Sequence, residues 1–167
     1  MSSWVIDMLK ISVLCIGRLK ERYFEGASAE YIKRLSGYCK IEVTELEEGF
    51  LPANPTPAQV DQALYKEGDM LISKVIKDAY TIAACIEGTE MSSTELSAFL
   101  LSLTEKGISR LCFFIGGSHG LHANIKAHAR YMFSMSKMTF PHQLARIMLL
   151  EQLYRAFKIA EGGKYHK

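Results

Sequence analysis

The sequence predicts a single α/β domain built around a mostly parallel β-sheet. Three observations carry this. Short apolar runs rich in β-branched residues recur along the chain and read as buried strands. Stretches with helical apolar spacing and helix-start signals lie between them. Strands that alternate with helices favour parallel pairing, because parallel neighbours need a long crossover and a helix supplies it. With 167 residues the chain is long enough for one full core.

Residues 9–16 (LKISVLCI) form the first strand, ended by Gly17. Residues 23–36 follow as a helix, and 40–46 (KIEVTEL) alternate polar and apolar as a strand does. Residues 47–57 hold Gly49, Pro52, Pro55 and Pro57 and read as a loop. Thr56-Pro57-Ala58-Gln59 has the form of a capping box with proline at the first helical position, opening a helix to about Lys77. Residues 80–86 (YTIAACI) are a third strand. Ser92-Ser93-Thr94-Glu95 is a second capping box, starting a helix to about Lys106. Residues 110–115 (RLCFFI) are a fourth strand. A glycine-rich turn runs from Gly116 to Leu121, followed by a short helix and a short strand at 131–134. After a polar loop, a last helix runs from near Pro141 to about Glu161. Residues 1–7 stand apart as an N-terminal extension, leaving 8–167 as the domain.

Composition is that of a soluble globular protein, with 49% hydrophobic and 23% charged residues. No apolar run reaches the length of a membrane span, and the first 20 residues lack the pattern of a secretion signal. Cys15, Cys39, Cys85 and Cys112 form no Cys-x-x-Cys pair and read as reduced thiols of a cytoplasmic protein. Net charge is +2, unevenly spread: residues 119–167 carry +6, with all five histidines, and residues 1–118 carry −4. A basic C-terminal third suits an anionic partner such as RNA, and equally a solvated basic face.

The turn Gly116-Gly117-Ser118-His119-Gly120 follows a strand and precedes a helix. It lacks the glycine spacing and the following acid of a dinucleotide fingerprint. It matches the Gly-x-Ser-x-Gly of a hydrolase elbow, with Glu151 and His166 in the right order, but too little chain follows for that fold. The remaining reading is a turn whose bare backbone approaches a ligand beyond the strand ends. His119, His122 and His128 have neither the spacing nor the companion ligands of a metal site, so no metal is expected. The last helix carries Leu144, Ile147, Met148, Leu150, Leu153, Tyr154 and Phe157. That stripe is wider than one packing face needs, and suits either a buried helix or one shared with a second subunit. The chain ends on Tyr165-His166-Lys167; a frayed tail is the default reading of such an end, although an aromatic and a histidine are odd there.

These segments resemble the large-subunit ribosomal RNA methyltransferase H family of the SPOUT class. The likeness is carried by Phe114–Ser118, Met138–Leu144, Glu151–Phe157 and Tyr165–Lys167, with Gly17–Glu21 and Ile86–Gly88, and spans Met8 to Lys167. It implies a SPOUT-type sheet whose C-terminal segment is threaded as a trefoil knot. It implies S-adenosyl-L-methionine as cofactor, a homodimer, and methylation at N3 of a pseudouridine in 23S rRNA of the assembled ribosome. Carried over by position, the cofactor pocket falls on Ala84 and Ile86, on Gly116 and Gly117, and on Met135, Ser136, Lys137, Met138, Thr139 and Phe140. Ala84 is smaller than the aliphatic residue expected there.

The chemistry suits these residue types. Methyl transfer from a sulfonium is an in-line displacement, governed largely by positioning. N3 of a uracil ring is weakly acidic and must lose its proton to attack. Matching family positions make His166 the candidate base, Tyr165 the residue that stacks on or orients the ring, and Arg155 the holder of phosphate or developing charge. In a dimer, the tail of one subunit completes the pocket of the other. A ribosome-binding module without catalysis and a small serine hydrolase are the competing readings.

Overall fold

The computed structural model describes residues 9–162. The extension at residues 1–7 and the tail residues Tyr165, His166 and Lys167 lie outside them. Along the chain the elements are β1 (Lys10–Ile16), α1 (Arg22–Leu35), β2 (Lys40–Leu46), α2 (Pro57–Ser73) and β3 (Tyr80–Glu90). They continue with α3 (Ser93–Glu105), β4 (Arg110–Ile115), α4 (Ala123–His128), β5 (Tyr131–Ser134) and α5 (His142–Ala160). The five strands form one all-parallel sheet in the order β2-β1-β4-β3-β5.

Side chains alternate across the pleat, so each strand feeds two cores. Ile11, Val13 and Cys15 of β1, with Leu111, Phe113 and Ile115 of β4, point to one face. There they pack with Leu35 of α1, Leu96, Leu100 and Leu103 of α3, and Leu149, Leu150, Leu153 and Phe157 of α5. Leu14 and Ile16 of β1, with Cys112 and Phe114 of β4, point to the other face and meet Leu71 of α2 and Ile125 of α4. Helices therefore cover both faces, as an all-parallel sheet requires.

The start signals act as the sequence predicts. The Thr56 side chain accepts from Gln59 N and the Gln59 side chain from Thr56 N; Ser92 and Glu95 repeat the arrangement on α3. Two ends differ from expectation. α2 stops at Ser73, whose hydroxyl donates back to the Met70 carbonyl at 2.7 Å, and a turn with Asp78 at φ 63° follows. β3 runs four residues past Ile86, because its polar end Glu87-Gly88-Thr89-Glu90 pairs with the edge strand β5 after a break in register between Ala84 and Thr89.

Candidate active site

β3 leaves the sheet towards the face of α3, and its neighbour β4 towards that of α4. In open parallel sheets, ligands bind outside the strand ends where successive connections diverge in this way. Here that position is an open cleft of about 740 Å³, lined from β3, β4, β5 and the start of α5.

Its first wall is the irregular part of β3. Ala84 pairs with Ile115 on one side and Phe133 on the other, and then the chain bulges, with Thr89 returning opposite Phe133. Gly88 makes the return possible. A Cβ there would lie 2.5 Å from the Phe133 carbonyl carbon. Cys85, Ile86 and Glu87 are thereby turned into the cleft. Glu87 pairs with Lys126 of α4 at 2.8 Å, and that ammonium holds its carboxyl below the usual range.

The second wall is the glycine turn. Gly120 N donates to the Gly117 carbonyl at 3.1 Å, and Gly120 has φ 80°. A Cβ on Gly116 would sit 2.5 Å from Gly120 backbone atoms, and one on Gly117 2.9 Å from a Glu48 carboxylate oxygen and 3.0 Å from an Ile16 methyl. The bareness of Gly116 is thus dictated by the turn's own closure, and that of Gly117 by the Glu48 and Ile16 side chains behind it.

The third wall is the loop from Ser134 to Pro141. Ser134 Oγ donates to the Ser136 carbonyl at 2.9 Å, and Met138 N donates to Ser136 Oγ at 3.0 Å, leaving Met138 itself 72% exposed. The loop crosses the ends of β3 and β4 and delivers α5 beside β1. Lys20 N donates to the Gln143 side chain at 2.8 Å, and Arg146 reaches the Gly17 carbonyl at 2.8 Å.

Nine of the ten pocket residues nominated from sequence line this cleft: Ala84, Ile86, Gly116, Gly117, Met135, Ser136, Met138, Thr139 and Phe140. Lys137 lies in the same loop, exposed, and is not part of the lining. Arg155 is elsewhere, on α5, where its guanidinium donates to Glu151 at 2.6 and 3.0 Å. The cleft also takes in Ser118 and His119 of the turn already singled out, and Cys85, Glu87, Lys126, Phe133 and His142, which sequence reasoning did not nominate. Their only available signal was position beside the nominated loops.

The histidines do separate work. His119 and His142 line the cleft, His122 caps α4 by accepting from Asn124 N at 3.1 Å, and His128 lies edge-on to Phe114. Glu151 is bound to Arg155 and Gln152 and does not reach the cleft where Ser118 sits, so the elbow's acid is not in place. Among the described residues no three His, Cys, Asp or Glu side chains converge as a metal site. The lining of backbone amides, apolar side chains and few charges suits an uncharged ring system more than a phosphate.

A family model described as predicted SPOUT methyltransferase matches residues 9–166. The chain belongs to the SPOUT methyltransferase family. It is accordingly a methyltransferase. Proteins named ribosomal RNA large subunit methyltransferase H are similar throughout: that of Pelotomaculum thermopropionicum is 46% identical over 95% of this chain and 99% of its own length. Those of Bacillus thuringiensis and Streptococcus uberis are 45% and 42% identical, each over 95% of this chain and all of their own length. Among solved structures, a protein described as a probable methyltransferase from Bordetella pertussis superposes with a TM-score of 0.55 at 12% identity, covering 92% of this chain and 96% of that one. A methylase family protein from Neisseria gonorrhoeae does so at 0.54 and 11%, covering 90% and 83%. At such low identity these two speak for the SPOUT fold alone.

No helix among the described residues is long and apolar enough to cross a membrane.

Proposed function

We propose that this SPOUT methyltransferase transfers a methyl group from S-adenosyl-L-methionine to N3 of a pseudouridine in 23S rRNA of the assembled ribosome, as a cytoplasmic homodimer. The observation that carries the reading is the convergence of three sequence-distant loops on one cleft, in a chain whose relatives are named for this class of reaction. When bound, the cofactor supplies an electrophilic methyl on a sulfonium. The protein's part is to hold the pieces. The backbone of Gly116–Gly120 and of Ser134–Thr139 would meet the flat purine edge, with Ile86, Phe133 and Phe140 against its faces. A cleft of about 740 Å³ lies within the range of ~300–1,000 Å³ usual for small-molecule sites.

The nucleophile must be deprotonated and aligned. The residues for this are His166 as base and Tyr165 as the orienting ring, with Arg155 to hold a phosphate or the charge growing on the ring. Glu151 already fixes the guanidinium of Arg155 by two bonds, so it is presented in one orientation. The dimer reading is supported by α5. Its Leu149, Leu150, Leu153 and Phe157 are buried in the chain's own core, while Leu144, Ile147, Met148 and Tyr154 remain partly exposed and apolar. In the proposed homodimer the partner subunit covers these side chains. The trefoil threading belongs to the same reading and is supported by the path of residues 135–141 over the glycine turn's end of the sheet.

The test is methyl transfer from labelled cofactor to ribosomes from a strain that lacks the gene, with mass spectrometry of the 23S rRNA. A single added methyl on a pseudouridine supports the reading. Ribosome binding without transfer would instead favour a catalytically inert binding module.

A further inference from the structure

The loop after β2 joins two parts of the molecule that lie far apart in sequence. Glu48 accepts a hydrogen bond from Ser118 N at 2.9 Å. The next residue, Gly49, donates its N–H to Glu67 of α2 at 2.7 Å. Glu67 is only 4% exposed. Consecutive residues of one loop thus grip the glycine turn on one side and a buried side chain on the other.

Ser118 lines the cleft and Glu48 does not, so the carboxylate holds the turn from behind. Two more observations agree. The turn is pressed against this group so closely that a Cβ on Gly117 would lie 2.9 Å from Glu48 Oε1. Burial pushes the Glu48 carboxyl up, but the Ser118 N–H and hydroxyl, with His142 and His119 nearby, outweigh it and hold the group below the usual carboxylate range. The acceptor is therefore ionised at neutral pH, which makes the bond to Ser118 charge-assisted.

We infer that Glu48 is a positioning residue for methyl-donor binding, fixing the Gly117–Ser118 peptide against the cleft, and that Glu67 secures the loop that carries it. A backbone turn rich in glycine has many conformations to lose when a ligand orders it, and a fixed acceptor behind it removes that cost beforehand. The inference rests on the cleft being the S-adenosylmethionine site.

The test compares Glu48→Ala, Glu48→Asp and Glu48→Gln with the parent protein. Calorimetry with S-adenosylhomocysteine is run well below each melting temperature, and donor KM and kcat are measured on ribosomes. Loss of a bond to a charged acceptor predicts a rise of roughly tenfold or more in Kd for Glu48→Ala, with donor KM rising in parallel and kcat at saturation little changed. Glu48→Gln keeps an oxygen that accepts from Ser118 N and should return to within about threefold of the parent. Glu48→Asp keeps the charge, withdraws the acceptor by one methylene, and should lose affinity several-fold. Parental affinity in Glu48→Ala or Glu48→Asp, or a Gln variant as weak as Ala, overturns the inference. Failure of the parent protein to bind the product is a different result and removes the cofactor reading together with this one.

Discussion

Arg146 donates from Nη2 to the Gly17 carbonyl at 2.8 Å, across 129 positions of sequence. It is 1% exposed, and its Nη1 pairs with Glu45 at the end of β2. One guanidinium thereby joins α5 to the C-terminal ends of β1 and β2, while its Nε has no partner among the described residues. Replacing Arg146 with Met preserves much of the stem but strips a carbonyl and a carboxylate of their donor. Breaking a buried pair costs ~3–5 kcal/mol; because Glu45 is about one-third exposed, a loss of about 2–3 kcal/mol is expected. Urea unfolding measures it, and a change below about 0.5 kcal/mol would show that the pair is dispensable.

The glycines of the site should not respond alike to alanine. Gly88→Ala and Gly116→Ala place a Cβ within 2.5 Å of backbone, which cannot move aside. Each should cost about 1–3 kcal/mol and abolish donor binding. At Gly117 the nearest atoms belong to Glu48 and Ile16 side chains, which can give way, so Gly117→Ala should lose less stability than the other two variants and bind more weakly than the parent. Thermal melts beside calorimetry give the ranking directly.

Thiol labelling provides a probe of the cleft. Burial pushes the Cys15 and Cys39 thiols up to about 12 and Cys112 to about 11, so none is nucleophilic at pH 7.5. Cys85 is also raised, by burial and then by Glu87, but it is only partly buried and lines the cleft. A maleimide should slowly add once per native chain, at Cys85, and S-adenosylhomocysteine should protect it. Two adducts on folded protein, seen by intact mass, would contradict the burial pattern.

Glu67 and Glu48 bend the pH profile of stability in opposite directions. Burial raises the Glu67 carboxyl above its ordinary value, aided by repulsion from Glu48. The folded state then holds a proton that the unfolded chain releases, and stability falls as pH rises from the unfolded value through the folded one. Glu48 is held low, so its contribution is present above the unfolded value and is lost as pH falls through the folded one. Glu67→Gln keeps an acceptor for Gly49 N and removes the first effect. The variant should therefore be more stable than the parent at pH 7, with a urea midpoint that falls less as pH rises above the ordinary carboxylate range.

The proposed division between donor binding and transfer is tested at the far end of the chain. Removing Tyr165-His166-Lys167 should leave donor affinity intact and stop transfer to ribosomes. Arg155→Ala should likewise spare donor affinity, since Arg155 does not line the cleft, while weakening productive engagement with RNA. A truncated protein that methylates at the full rate would refute the role given to the tail.

Much of this architecture was legible because its signals are local. The boundaries of β4 and β5 and both capping boxes follow from neighbouring residues alone. The extension of β3 was not legible, since Glu87-Gly88-Thr89-Glu90 is polar and pairs only because an edge strand lies beside it. Arg146 was hidden in the apolar stripe of α5; a charge set between Ala145 and Ile147 was its one trace. Glu48 read as part of a proline-rich loop. Its meaning depends on Ser118, 70 positions away, which no period or motif connects to it.

The strand order has a consequence for synthesis. β1 acquires β2 once residue 46 is made, but its other neighbour, β4, does not exist until residues 110–115. In that interval the backbone edge beside Ile11, Val13 and Cys15 is open, a template for pairing with another chain. At synthesis rates of ~5–20 residues per second the gap lasts roughly 3 to 13 seconds. The nascent polypeptide therefore carries β1 with one unpaired edge until β4 closes it.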